Sequence, residues 1–495
     1  MTVATPERTA LTTRRGLLTL LLLCTVQFMD IIDSSIMNVA LPSIRDDLGF
    51  TQQNLQWVLS GYLVTYGGFL LLGGRAADLL GRRRLLVTGT ALFGACSLAG
   101  GLAANAGLLV GARVAQGVGA ALMAPAALSV LTTTFTEGRD RTRALGVWGA
   151  VSGLAAATGV FLGGVLSAGP GWRWVLLVNI PVCALVVAAT SRLVPPERRR
   201  PRAGGLDLPG ATLVTGGMLL LVYALVEAPD RGWGSARTIG ELATAVGLLA
   251  AFVVAEQRRR DPLFPLSILR IRGLAAADAT QLLAFAGFLS VFFFLTLYMQ
   301  NVLGYSPVHS GSAYLPVTLG IGIAAGLSSR LVPRVGTRPV IVAGTLVAAA
   351  GVGYLARIPV DGTYVADLLP GLAVMSLGLG VVFVTVTMAA NAGVPEDRAG
   401  LAAGLLNTSL QLGSALGLAV FSAVATARTE ALAAGGAASA EALTGGFQRA
   451  LLACAVALLA AAVIALRATN TRDHRPPAVG PVPDADPAPA AAGLS

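Results

Sequence analysis

The 495-residue chain contains no lysine; all 35 of its basic side chains are arginine. Charge of either sign is scarce, at 12% of residues, about half the share usual in soluble domains. Histidine occurs twice, as His309 and His474, and the four cysteines (Cys24, Cys96, Cys183, Cys454) are widely spaced in apolar runs. These absences argue against a disulfide framework or a zinc site. Without lysine there is no Gly-Lys-Ser/Thr phosphate loop. No enzyme motif is found, and neither metal nor cofactor is expected. Energy for any work must then come from an ion gradient, with protons as the expected source, rather than directly from ATP. The net charge of +10 might suggest nucleic acid, but no basic face with interleaved aromatics appears.

What the chain has is apolar sequence: 55% hydrophobic residues and a mean hydropathy of +0.74. A membrane crossing needs about 20 mostly apolar residues. Fourteen runs qualify: 17–41, 55–74, 85–104, 107–131, 144–166, 173–193, 208–227, 238–256, 273–300, 308–332, 339–356, 364–390, 399–424 and 447–467. Arg14-Arg15 before the first run resembles a secretory signal. The run continues to Pro42 and many others follow, so an uncleaved first helix is expected. Arginines cluster in alternate loops, at Arg82–Arg84, Arg139–Arg143, Arg198–Arg202, Arg258–Arg260 and Arg330–Arg338. By the positive-inside rule these loops and both termini face the cytoplasm. The basic charge is thus a topology signal and an attraction to anionic lipid.

Two Pro/Arg-rich stretches divide the runs into six, two and six. The expected parts are a cytoplasmic segment (1–16), a six-helix bundle (17–193), a linker (194–207), two further helices (208–256), a second linker (257–272), a second six-helix bundle (273–467) and a disordered tail (468–495). The fold class is therefore an all-α protein of the inner (cytoplasmic) cell membrane, multi-pass, expected to act as a monomer.

Polar residues inside such spans are costly and usually functional. The first span holds Gln27, Asp30, Asp33, Ser34 and Asn38. Asp30 and Asp33 are three residues apart and share a helix face. Span four holds Arg113 and, one turn on, Gln116. Arg113 is always charged; near the end of its span it either snorkels to the interface or faces a carboxylate. Span thirteen carries Asn407, Gln411 and Ser414 on one face; Asn407 and Gln411 are candidate cavity residues. Span nine carries Asp278, Thr280 and Gln281, then aromatics from Phe285 to Tyr298. Its aromatics are expected to pack, and Asp278 to cap or snorkel.

After span two comes Gly74-Arg75-Ala76-Ala77-Asp78-Leu79-Leu80-Gly81-Arg82-Arg83-Arg84. This stretch resembles the signature loop of the major facilitator superfamily, with Leu79 in place of the usual arginine. Asp33-Ser34-Ser35-Ile36-Met37-Asn38-Val39-Ala40-Leu41-Pro42, Arg113-Val114-Ala115-Gln116-Gly117 and Trp172-Arg173-Trp174 through Asn179-Ile180-Pro181 resemble motifs of its fourteen-span drug:proton antiporter branch. In span five, Gly159-Val160-Phe161-Leu162-Gly163-Gly164 stands where that branch has its antiporter motif, with Val160 replacing the usual proline.

The resemblance implies a major facilitator fold with 14 transmembrane helices and proton-coupled export of a hydrophobic, possibly cationic, drug or antibiotic by alternating access. The alternative is a dedicated exporter of one self-made antibiotic or metabolite. On this reading Asp33 and Arg113 couple to the proton. Asp30, Asn38, Gln27, Gln116, Asn407 and Gln411 are candidates for substrate contact. Gly74, Asp78, Gly81, Arg82 and Arg83 form a conformational gate, whose expected partner is Pro395–Gly400 ahead of span thirteen.

Overall fold

A computed structural model describes residues 13–51, 53–135, 139–196, 207–259, 262, 266–271, 273–392, 394 and 399–471. Leu and Ala runs with few breakers propagate as helix, and only a helix satisfies every backbone group within its own segment in lipid. In chain order the helices are α1 (Arg14–Leu48), α2 (Trp57–Leu80), α3 (Arg82–Gly101), α4 (Ala106–Thr134), α5 (Arg139–Ala168), α6 (Arg173–Leu177), α7 (Asn179–Leu193), α8 (Leu208–Arg231) and α9 (Ala236–Arg258). They continue with α10 (Leu274–Asn301), α11 (Pro307–Ala313), α12 (Leu315–Val335), α13 (Thr337–Leu355), α14 (Leu369–Asn391), α15 (Ala399–Ala434) and α16 (Ser439–Ala465).

Among the described residues, thirteen helical segments are long and apolar enough to cross a membrane. The expected fifth span, 144–166, lies in α5, whose described apolar stretch is the shorter Thr158–Ala168. Helix α15 runs 36 residues, ten beyond its expected end at 424. At 1.5 Å per residue it is about 54 Å long, well over the roughly 30 Å hydrocarbon core. The expected sixth span is divided at Val178 into α6 and α7.

The first seven helices pack chiefly on one another, as do α10 and α12–α16, while the short α11 packs chiefly on α5. The α8–α9 hairpin lies outside both groups. Helix α8 packs against α2 and α15, and α9 packs on α8. Apolar side chains gain little by leaving lipid for one another, so close packing by small residues has to hold such helices together. Glycines supply it. Gly73 faces the Ala121 carbonyl, Gly117 the Tyr62 carbonyl and Gly119 the backbone of Phe93, so α4 is clamped between α2 and α3.

The two groups meet along α2–α15 and α5–α11. Gly67 of α2 abuts Gln411 and Leu412, while Gly164 of α5 abuts Pro307 and Val308. A Cβ on Gly311 would come 2.7 Å from the Val160 carbonyl, too close for any side chain. Gln300 at the end of α10 donates to the Val39 carbonyl of α1 at 3.1 Å.

Candidate functional site

Asp33 sits midway along α1 and is fully buried. Helices α4 and α7 bring it partners, and α3 supports them. Arg113 Nη1 of α4 donates to Oδ2 at 2.6 Å, an ion pair in which neither side chain is more than 1% exposed. Gln116 Nε2, one turn further along α4, donates to Oδ1 at 2.9 Å. Asn179 Nδ2 donates to the same oxygen at 2.7 Å. That amide opens α7, directly after the α6–α7 junction at Val178. Ser97 of α3 closes the cluster, accepting from Gln116 at 2.9 Å.

Arg113 is held through Nε and Nη1, while its buried Nη2 has no partner. Its Nε donates to the Val58 carbonyl at 3.0 Å, and its Nη1 also to Gln116 Oε1 at 2.7 Å. The guanidinium lies over the Tyr62 ring, 4.3 Å from the centroid, a favourable place for a desolvated cation. The close approach of α2 permitted by Gly117 makes this possible. Of the two readings of Arg113, the structure places it on a carboxylate, buried from solvent. A buried charge of this kind is tolerated only when paired and hydrogen-bonded, and here both partners are.

Asp30 is 6% exposed and has a separate set of partners. Tyr62 Oη donates to its Oδ1 at 3.0 Å and Tyr66 Oη to its Oδ2 at 2.9 Å. The two rings meet edge to face, with centroids 5.6 Å apart. Tyr62 therefore serves both acids: its hydroxyl holds Asp30 and its ring underlies the arginine of Asp33. Tyr66 also lies beside Gln411 of α15. A continuous chain of contacts thus runs Asp33–Arg113–Tyr62–Asp30–Tyr66–Gln411, from α1 to the other helix group.

The remaining predicted residues lie outside this chain. Gln27 donates to Ser152 of α5 at 3.1 Å. Asn38 donates to the Ser34 carbonyl at 3.2 Å, and its buried Oδ1 has no partner. Asn407 is exposed and donates to the Ala403 carbonyl at 3.2 Å. Gln116, a candidate for substrate contact, is fully buried in the Asp33 cluster. Sequence reasoning missed Tyr62, Tyr66, Ser97 and Asn179. The two tyrosines are four residues apart on one face of a largely apolar span, a readable signal. Asn179 stood in a recognised motif without a role. Ser97 gave no signal.

The family model of the Major Facilitator Superfamily matches residues 23–418, from α1 into α15. The chain belongs to the Major Facilitator Superfamily. It is similar to the puromycin resistance protein pur8 of Streptomyces alboniger, with 42% identity over 83% of this chain and 82% of that one. It is also similar to the cephamycin export protein CmcT of Amycolatopsis lactamdurans, with 41% identity over 81% of this chain and 83% of that one. Among solved structures, an auto-inhibited POT family peptide transporter shares the fold at TM-score 0.65 and 14% identity, over 90% of this chain and 96% of that one.

In this superfamily member the signature loop joins α2 to α3. Gly81 has φ +98°, a conformation other residues rarely adopt, and it lets the chain reverse within one residue. Arg82 lies 3.7 Å from Asp78. Arg83 Nη2 donates to the Ser191 carbonyl at 2.7 Å and Arg15 to the Leu193 carbonyl at 3.2 Å. Both cap the last turn of α7, where a cation offsets the helix dipole. Gly74 packs toward Pro125 of α4. The expected partner loop at 395–398 lies outside the described residues.

Proposed function

We propose that this multi-pass protein of the bacterial cell membrane is a proton-coupled drug exporter with fourteen spans arranged six, two, six and both termini in the cytoplasm. The observation that carries the reading is the ion pair of Asp33 with Arg113, sealed from solvent inside a transporter fold whose relatives are named for antibiotic resistance and export. An ion pair with no solvent access is a two-state element. A proton arriving on Asp33 removes one charge and frees Arg113, at a cost that depends on how the helices are arranged. Proton binding and helix arrangement are then linked, and linkage is reciprocal.

The proposed cycle exports a hydrophobic, cationic small molecule from the cytoplasm. The proton taken up on the far side resets the carrier, so the gradient drives efflux without a cofactor. The contact chain from Asp33 to Gln411 supports such coupling, because it ties the ion pair to a helix of the opposite group. The Asp78 loop serves as the cytoplasmic gate.

A second reading is a dedicated exporter of one antibiotic, and the names of both relatives favour it, since each mentions a single compound class. Drug-susceptible cells expressing the chain test the two together, challenged with puromycin, a cephamycin, lincomycin and ethidium, with and without a protonophore. Protonophore-sensitive protection against several unrelated compounds supports the broad exporter, and protection against one supports the dedicated one. Protection that persists under the protonophore would overturn the proton-coupled reading.

A further inference from the structure

Asp278 is a buried carboxylate that the Asp33 cluster leaves unused. It lies in the second turn of α10, is 6% exposed, and neither oxygen has a hydrogen-bond partner. Three residues on, Gln281 is 2% exposed and its Oε1 also lacks a partner. Residues three apart share a helix face, so this face presents three buried acceptor oxygens, none of which receives a hydrogen bond.

Close backbone packing surrounds this part of α10. Gly413 and Gly417 of α15 press on the backbone of Leu282 and Ala286, and Gly273 presses on Thr469. Gly287 faces Cys454 and Leu458 of α16.

Among the described residues, the packed elements bring no counter-charge. Helix α14 has no charged residue, and those of α15, Arg428 and Glu430, lie at its far end. Glu441 and Arg449 of α16 lie toward the opposite end from Asp278, since Gly287 is already level with Cys454. On α1, Asp30 and Asp33 are taken up by Tyr62, Tyr66 and Arg113, Arg15 holds Leu193, and Arg45 holds Asp46. Arg14 at the start of α1 is exposed, and so are Arg270 before α10 and Arg467 after α16. His309 belongs to α11, beyond the other end of α10.

An unpaired carboxylate in such a setting is too costly to keep charged, and the usual outcome is neutralisation. What the site lacks is a hydrogen on an oxygen. We propose that Asp278 is a second proton-carrying group, which holds its proton in this conformation while Asp33 stands ion-paired, and yields it when α10 is exposed to water. This rests on the proton-coupled reading above and adds a proton site in the second helix group.

Infrared spectroscopy of the full chain in liposomes at neutral pH tests it, supported by proton and ethidium flux in the same vesicles. The wild-type minus Asp278→Asn difference spectrum is expected to show the C=O stretch of a protonated acid, shifted in D2O, and the same band should be lost in Asp278→Leu. The leucine variant removes the orphaned oxygens and should fold at least as well, which guards against a spectrum dominated by misfolding. A difference spectrum without that band, or one that appears only in sodium, overturns the proposal. The flux arm separates the two levels. Wild type moving ethidium with no proton movement overturns the coupled-exporter reading itself. Wild type that couples, alongside an Asp278→Asn protein with an unchanged proton-to-ethidium ratio and no band difference, overturns the Asp278 assignment alone; a lowered ratio supports it.

Discussion

The two helix groups treat buried polarity in opposite ways. In the first, Asp33 collects Arg113, Gln116 and Asn179, and Asp30 collects two tyrosines. In the second, α10 offers Asp278 without a partner and then a row of rings. Phe285, Phe288 and Phe292 follow one another edge to face, and Phe292 stacks on Tyr314 at 4.7 Å. A satisfied network fixes one arrangement and makes departure from it expensive. An apolar row tolerates sliding. The contrast assigns the set-point of the carrier to the first group and adaptable surface to the second.

Breaking the network should therefore matter most. Arg113→Ala strands the Asp33 charge in a dry site, which costs about 3–5 kcal/mol when one partner of a buried pair is removed. Thermal unfolding of purified protein should show the loss, and efflux should fall to background. The double variant Asp33→Asn/Arg113→Gln should regain much of the stability without regaining proton-driven efflux. Asn179→Ala comes next. It removes a bond to a charged acceptor, worth about 1.5–3 kcal/mol, and should lower gradient-driven efflux while leaving the Arg113 pair in place.

The bridge between the groups gives smaller and more diagnostic effects. Tyr66→Phe removes one hydroxyl from Asp30 and the link to Gln411, for about 1–2 kcal/mol. Tyr62→Phe keeps the ring beneath Arg113 and loses only its bond to Asp30. If the bridge carries coupling, Tyr66→Phe should weaken the dependence of efflux on the proton gradient more than Tyr62→Phe does, measured as ethidium flux against imposed pH difference. Gln411→Ala should show the mildest form of the Tyr66→Phe behaviour, at about 1 kcal/mol or less. Equal effects from all three would remove the bridge from the account.

Much of this was legible before any coordinates. Span positions follow from apolar run length, because lipid leaves a helix little alternative. The pairing of Asp33 with Arg113 was one of two open readings, and what decides it is the approach of α2 through Gly117, a tertiary fact. The same holds for Tyr62 and Tyr66. Their spacing is visible, but their direction toward Asp30 depends on the rotation of α2 against α1. Helix ends were least legible. Helix α15 extends far past its apolar core because Ala-rich sequence continues as helix in water as readily as in lipid. Gln116 illustrates the limit: its motif was recognised, yet its place within the Asp33 cluster depends on Ser97 and Asn179 arriving from two other helices.

The central claim is that Asp33, held by Arg113, is where the proton enters the cycle. It is tested most directly by ethidium efflux from proteoliposomes driven by an imposed pH gradient, comparing wild type with Asp33→Asn. The asparagine keeps the size of the side chain and loses its charge. The account predicts that Asp33→Asn abolishes gradient-driven efflux while ethidium still equilibrates down its own gradient. Full gradient-driven efflux by Asp33→Asn, collapsed by a protonophore as in wild type, would contradict it.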